Sequence, residues 1–164
     1  MYMNGQASSP PTKMPVALID ILAAHQLKEG LLLALWQREK TGEGAYVSVS
    51  LLEAALSSLA NQATNWLMAG HIASRIGSKH PNIAPYGEIF TTKDEKQLVL
   101  AIGNDKQFTQ LCKLLNVPNL AEDARFQYNV DRVENRQILE HELQRAIETQ
   151  EAAYIQKEAL VRSI

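Results

Sequence analysis

VALIDILAAHQLKEGLLLALWQREKTGEG, residues 16–44, is the stretch on which the reading of this chain turns. Between Leu18 and Trp36 apolar residues cover nearly every face at helical spacing, so the run reads as a helix to be buried all round. One carboxylate, Asp20, sits inside it. An ionised group among apolar side chains is costly unless it is paired or put to use, which gives Asp20 two readings. Either it caps the helix, accepting hydrogen bonds from the free amides of Leu22 or Ala23, or it is a site of chemistry. At the other end, Arg38 and Lys40 followed by Gly42 form an ordinary helix stop: the cations suit the C-terminal dipole and the glycine suits a left-handed cap. Glycines beside two cations also suit a phosphate, a reading that the ordinary stop outweighs.

Outward from this helix, Tyr46 to Ser50 alternates like a short strand, and Ser50 with Glu53 has the spacing of a capping box. Leu52, Leu56, Leu59, Ala63 and Trp66 then recur at helical spacing, predicting a second long helix whose stripe, Trp66 included, belongs to the core. Residues 54–74 carry no Asp, Glu, Lys or Arg. Ser57, Ser58, Asn61, Gln62, Thr64 and Asn65 nevertheless make the segment too polar to span a membrane. Residues 71–85 are rich in Gly, Pro, Ser and His without a sustained period, so they form a loop and a boundary. Within it, Gly77, Ser78, His80 and Asn82 can present hydrogen-bond donors to a carboxylate or an anionic intermediate. Beyond the loop, Tyr86–Thr91 and Gln97–Ile102 read as a hairpin, and Asp105–Leu115 as a helix. A further helix over 130–148 is capped by Asn129, and a last one by Thr149. The predicted class is α+β: a buried N-terminal helix and a second long helix, then a small domain with a β-hairpin and several helices. The expected boundaries are a polar lead-in over 1–15, then 16–70, 71–85 and 86–164.

Composition narrows the function. The chain has 164 residues, 46% hydrophobic and 21% charged, enough for one core. A net charge of −2 with mixed signs provides no basic face for nucleic acid. The single Cys112 excludes an internal disulfide and a multi-cysteine metal site, and its place near Phe108, Leu111 and Leu115 makes it a core residue. The histidines at 25, 71, 80 and 141 lack ligand spacing, so no metal is expected. His25 lies off the helical face of Asp20, so no acid–base pair is implied. With no secretory signal, the chain reads as cytoplasmic.

The order of Asp20, Gly30, REKTGEG (38–44) and SLLE (50–53), continued by GSKHPNIAPY (77–86), AIGNDKQF (101–108) and EDARFQYNVDRVENR (122–136), resembles the family III CoA-transferases, the group of formyl-CoA and carnitine CoA-transferases. The resemblance runs from about residue 12 to about residue 160. It implies that Asp20 is the catalytic aspartate of an enzyme moving CoA between two carboxylic acids. A carboxylate, ionised at neutral pH, attacks a thioester without a base, so no Ser/His or Cys/His pair is needed. It further implies that Leu51 lies near CoA and that Gly77 to Pro85, with Gly77, Ser78, His80 and Asn82, faces the substrate as a lid against water. Some members carry a run of glycines in this loop, which is absent here. No permanently bound cofactor is implied; a coenzyme A thioester is the substrate, and the partners are acyl-CoA and an acceptor acid. Family members resemble interlocked rings of two subunits and are more than twice this long. The chain therefore reads as a central fragment. On this reading residues 16–70 come from the large domain, 71–85 form the active-site loop, and 86–164 are a small domain incomplete at its C-terminal end. A homodimer, or a partner chain, would supply the missing half. Two other readings stand beside this one: a noncatalytic subunit docking its apolar first helix on a partner, and an inert truncated remnant.

Overall fold

A computed structural model describes residues 2–164. It divides into two compact units, Met1–Arg75 and Ile76–Ile164. The first holds α1 (Leu18–Thr41), α2 (Leu51–Ser57) and α3 (Asn61–Ala69). The second holds β1 (Tyr86–Thr91), β2 (Gln97–Ala101), α4 (Asp105–Leu114), α5 (Asn119–Glu122), α6 (Asn129–Glu134), α7 (Arg136–Ile147) and α8 (Ala152–Val161). The architecture is α+β, as the sequence predicts.

In the first unit α1 ends as expected. Gly42 adopts a left-handed conformation (φ 77°) and donates its N–H to the Arg38 carbonyl at 2.8 Å. Lys40 closes the same turn with its ammonium 3.9 Å above the Trp36 ring. The expected burial of α1 is not found: none of its side chains is buried, and Leu33 is 66% exposed. A helix apolar on every face needs neighbours on every side. Within this unit, α2 and the extended segment 43–50 cover only part of it. That segment crosses α1 at Gly30, where a Cβ would sit 2.7 Å from Cγ1 of Val47, so the close approach requires glycine. The segment forms no strand, contrary to expectation, because no other strand among the described residues of this unit pairs with it.

The hydroxyl half of the capping box is present, Glu53 donating its N–H to Ser50 Oγ at 3.1 Å. The single long helix expected after it is two helices, broken at Ala60 (φ 46°). Ser57 and Ser58 explain the break. Their hydroxyls donate to the carbonyls of Ala54 (3.0 Å) and Ala55 (2.7 Å), competing with the helical ladder. Leu52, Leu56 and Trp66, the expected core stripe, are exposed; among the described residues of this unit only Ala54 is buried.

The second unit has a true core. β1 and β2 pair antiparallel with Phe90 opposite Leu98 and Thr91 opposite Gln97. Alternation places Phe90, Leu100 and Ile102 inward against Phe108, Leu111 and Leu115 from α4 and the following turn, Phe126, Leu139 and Leu143 of α7, and Ile155 of α8. Cys112 is fully buried there, as predicted, and burial pushes its thiol up to about 12. On the outer side of β1, Gln144 of α7 donates to the Thr91 carbonyl (2.9 Å) and accepts from the Thr91 N–H (3.1 Å).

Two helix starts differ from expectation. The helix predicted over 130–148 is split at Asn135, whose side chain donates to the carbonyls of Asp131 (2.9 Å) and Arg125 (3.3 Å). Asn129 is the first residue of α6 rather than its cap. The last helix is not capped by Thr149, whose hydroxyl turns back to the Ala146 carbonyl. Its cap comes from the hairpin turn instead: Asp94 accepts from the Ala152 N–H at 2.9 Å and from the Thr92 hydroxyl at 2.7 Å, and pairs with Lys96.

The Ala152 amide, then Lys96 and Thr92, hold the Asp94 carboxyl well below the usual carboxylate range. A carboxyl whose folded-state pKa is depressed stabilises the fold above its unfolded value and loses that contribution as the pH falls toward the folded value. Asp94→Ala is therefore expected to lower the thermal midpoint at pH 7. The gap to the wild type should narrow as the pH drops below about 4, measured by thermal melts across pH.

Candidate functional site

Asp20 is the third residue of α1. Ala17 precedes the helix without any side-chain cap, and Asp20 makes no hydrogen bond or ion pair among the described residues, so the capping alternative is not realised. Its side chain is exposed, in the first turn, where the helix dipole favours an anion. The result is an accessible carboxylate with no cation paired to it among the described residues. Leu51, the first residue of α2, is 55% exposed. His25 faces Lys28, its Nδ1 lying 3.2 Å from Nζ.

The second unit carries Gly77, Ser78, His80 and Asn82 on one loop. Gly77 turns the chain at φ 68°, and the Ser78 hydroxyl donates to the Gly87 carbonyl. His80 donates its N–H to the Tyr86 carbonyl at 2.8 Å and sets its ring edge-on to Tyr86, 5.6 Å between centroids. The Asn82 N–H donates to Nδ1 of His80 at 3.1 Å, so that nitrogen is an acceptor and the neutral ring carries its proton on Nε2. The loop presses directly on β1: a Cβ at Gly87 would lie 2.0 Å from the Ser78 carbonyl oxygen.

Three residues hold this loop from 45 to 56 positions downstream. Asn129 accepts from the Ala84 N–H (3.2 Å) and donates to the Asn82 carbonyl (2.8 Å). Arg136 donates to the carbonyls of His80 (2.6 Å) and Ile83 (3.0 Å) and pairs with Glu88, which is 2% exposed. Arg132, fully buried, donates to the carbonyls of Ala84 (2.8 Å), Phe126 (2.9 Å) and Gln127 (3.2 Å) and to Asp105 (2.6 Å). Its guanidinium carbon lies 4.5 Å from the centre of the Phe108 ring.

In the sequence Asn129 reads as a cap, and Arg132, Arg136 and Glu88 carry no role of their own. A signal was present: positions 129, 132 and 136 follow the i, i+3, i+7 row that lines one helical face. Glu88 shares the strand parity of inward-facing Phe90, where a charge demands a partner. Among the described residues no three His, Cys, Asp or Glu side chains group to hold a metal ion, and no helix is long and apolar enough to cross a membrane.

The fold is that of the CaiB/BaiF proteins. A CaiB/BaiF family protein from Brucella suis superposes with a TM-score of 0.68 at 34% identity, covering 98% of this chain and 42% of that one. A hypothetical protein from Mycobacterium tuberculosis gives a TM-score of 0.75 at 26% identity, over 94% of this chain and 42% of that one. Residues 1–162 match the model of CoA-transferase family III, and the chain belongs to that family. It is 36% identical to an acetyl-CoA:oxalate CoA-transferase of Acetobacter aceti over 94% of its own length and 39% of the relative's. It is 38% identical to a succinate–glutarate CoA-transferase of Agrobacterium fabrum, over 87% of its own length and 36% of the relative's. The chain thus spans little more than a third of these curated relatives.

Removing the Arg132 guanidinium leaves several carbonyl acceptors without a donor, at about 1–3 kcal/mol for each buried one. Arg132→Met is expected to destabilise the second unit by about 3 kcal/mol or more, read as a lower urea midpoint in far-ultraviolet circular dichroism. Arg132→Lys should restore little, because one ammonium cannot span the four acceptors that a guanidinium reaches.

Proposed function

We propose that this chain carries the nucleophile and the substrate-side loop of a CoA-transferase that moves CoA between carboxylic acids, with Asp20 as the catalytic residue. The observation that carries this reading is the exposed Asp20 carboxylate, without a partner among the described residues, at the head of α1 in a member of CoA-transferase family III. Residues 16–70 belong to the large domain in this reading, 71–85 to the active-site loop and 86–164 to the small domain. Leu51 binds CoA in this reading, and Gly77, Ser78, His80 and Asn82 are substrate-binding. No resident cofactor is required, and the reaction takes place in the cytoplasm.

A carboxylate oxygen of Asp20 attacks the thioester carbonyl of acyl-CoA; the C–S bond breaks, CoA leaves as thiolate, and a mixed anhydride remains. The thiolate attacks the aspartyl carbonyl of that anhydride, releasing the donor acid as carboxylate and leaving an aspartyl-CoA thioester. The acceptor carboxylate attacks this thioester, expelling CoA thiolate and forming a second anhydride. Attack of the thiolate on the acceptor's acyl carbon yields the new acyl-CoA and returns Asp20 as carboxylate. Charge balances at each step with no net proton transfer, so the protein's task is to place anions and exclude water from the anhydrides. His80, whose Nδ1 accepts from the Asn82 N–H, leaves its Nε2–H to donate to a substrate oxygen.

The partners in this reading are acyl-CoA, an acceptor acid, and protein surface from a second copy or another chain. A noncatalytic interaction role is the second reading, favoured by the exposure of Leu32, Leu33, Leu35 and Trp36 on α1.

Incubation of the purified chain with acetyl-, succinyl- and glutaryl-CoA, followed by intact-mass spectrometry and peptide mapping, separates the two. The expected result is a CoA adduct at Asp20 that Asp20→Asn abolishes. A folded chain that forms no adduct with any of the three would favour the interaction role.

A further inference from the structure

The backbone of residues 80–85 is held at nearly every polar group. The N–H groups of His80, Asn82 and Ala84 donate to the Tyr86 carbonyl, His80 Nδ1 and Asn129 Oδ1. The carbonyls of His80, Asn82, Ile83 and Ala84 accept from Arg136, Asn129 and Arg132, and that of Pro85 accepts from the Ile102 N–H at 3.0 Å. Lids and gating loops come from the low-stability end of a structure, where backbone groups face water and few contacts must break for the segment to open. This segment has the opposite character. Four of its carbonyls and the Ala84 amide are tied to side chains of α6 and α7, and the donors on that side are two guanidinium groups and one amide. Arg136 is itself fixed through Glu88, whose second carboxylate oxygen is buried without a hydrogen-bond partner among the described residues.

We propose that residues 80–85 form a fixed wall rather than a lid, and that Asn129 and Arg136 are positioning residues that set its shape and hold His80 in the tautomer with its proton on Nε2. The catalytic part of this proposal rests on the CoA-transferase reading above; the rigidity of the wall does not. Protection of the anhydrides from water then falls to surfaces other than this loop. Substrate selection follows from a preformed shape, not from closure. A preformed wall also restricts which acid fits, because its donors cannot move to meet a different one.

The test is amide hydrogen exchange resolved to single residues, together with ¹⁵N spectra of the His80 ring at pH 8, on the wild-type chain and on Arg136→Lys and Asn129→Ala. Lysine keeps the charge opposite Glu88 but cannot span both carbonyls. Asn129→Ala removes the Ala84 and Asn82 contacts and leaves both arginines, so one variant remains informative if the other fails to fold. In the wild type the amides of His80, Asn82 and Ala84 should be protected, with a single His80 tautomer. Each variant should raise exchange at those amides by about 10-fold or more, while Leu111 and Leu143 in the core keep theirs. The tautomer signal should become mixed. Fast exchange of the three amides in the wild type would overturn the wall. Unchanged exchange and tautomer in both folded variants would overturn the role of the two residues. The rate of CoA adduct formation at Asp20 is read in parallel and should fall about 10-fold in the variants. Loosened amides with an unchanged adduct rate would overturn the positioning role in catalysis. A wild-type chain with protected amides and no adduct would instead count against the Asp20 reading and leave the wall intact.

Discussion

The second unit depends on one buried cation. Arg132 is sealed from water and satisfied on every side by carbonyls from the loop, from the 126–127 turn and by the Asp105 carboxylate, with the Phe108 ring beneath it. A guanidinium can do this because its donors lie in one rigid plane that can serve several acceptors at once. A charge so placed is costly without such partners, so the loop carbonyl, the turn and α4 must all be in position before α6 can bury its face. The constraint works in both directions. Arg132 fixes where the chain enters the hairpin, and the hairpin with α4 provides the apolar shell that excludes water from Arg132.

What the sequence made legible was governed by local physics. Gly42 after Arg38 and Lys40 ends a helix wherever it occurs, and α1 stops there. The hairpin, the helix that starts at Asp105 and the buried Cys112 likewise follow from alternation and helical spacing. The failures involve competition between near and distant partners. Ser57 and Ser58 turned their hydroxyls back on the backbone and split one expected helix; Asn135 did the same to another. Asn129 and Thr149 look like caps in isolation, yet a loop 45 residues upstream claims the first, and Asp94 takes the capping place expected of the second. Periodicity could not foresee these outcomes because the deciding partner lies far away in the chain.

Of the candidate site, the sequence named Asp20 and the loop residues, while the arginines and Glu88 that organise the loop went unassigned. Arg132 and Arg136, four positions apart in a charged stretch, read in the sequence as a solvated face. Only their burial distinguishes a scaffold from a surface. The two units also differ in how far the residues described account for their own stability. The second has a continuous apolar core, whereas the first buries a single alanine and leaves the leucines of α1 accessible. A helix of that composition is suited to the interior of an assembly, whichever chain provides the remaining surface.

Gln144 gives the small sheet a further property. By donating to the carbonyl and accepting from the amide of Thr91, its side-chain amide imitates the next strand of the ladder at one position on the outer edge of β1. A two-stranded sheet is otherwise an open template on both sides, and an unoccupied edge invites pairing with another polypeptide. The side chain terminates the ladder on that side as a chemical end group terminates a polymer. Growth of the sheet by strand addition next to Thr91 would first have to displace a partner that the fold already provides.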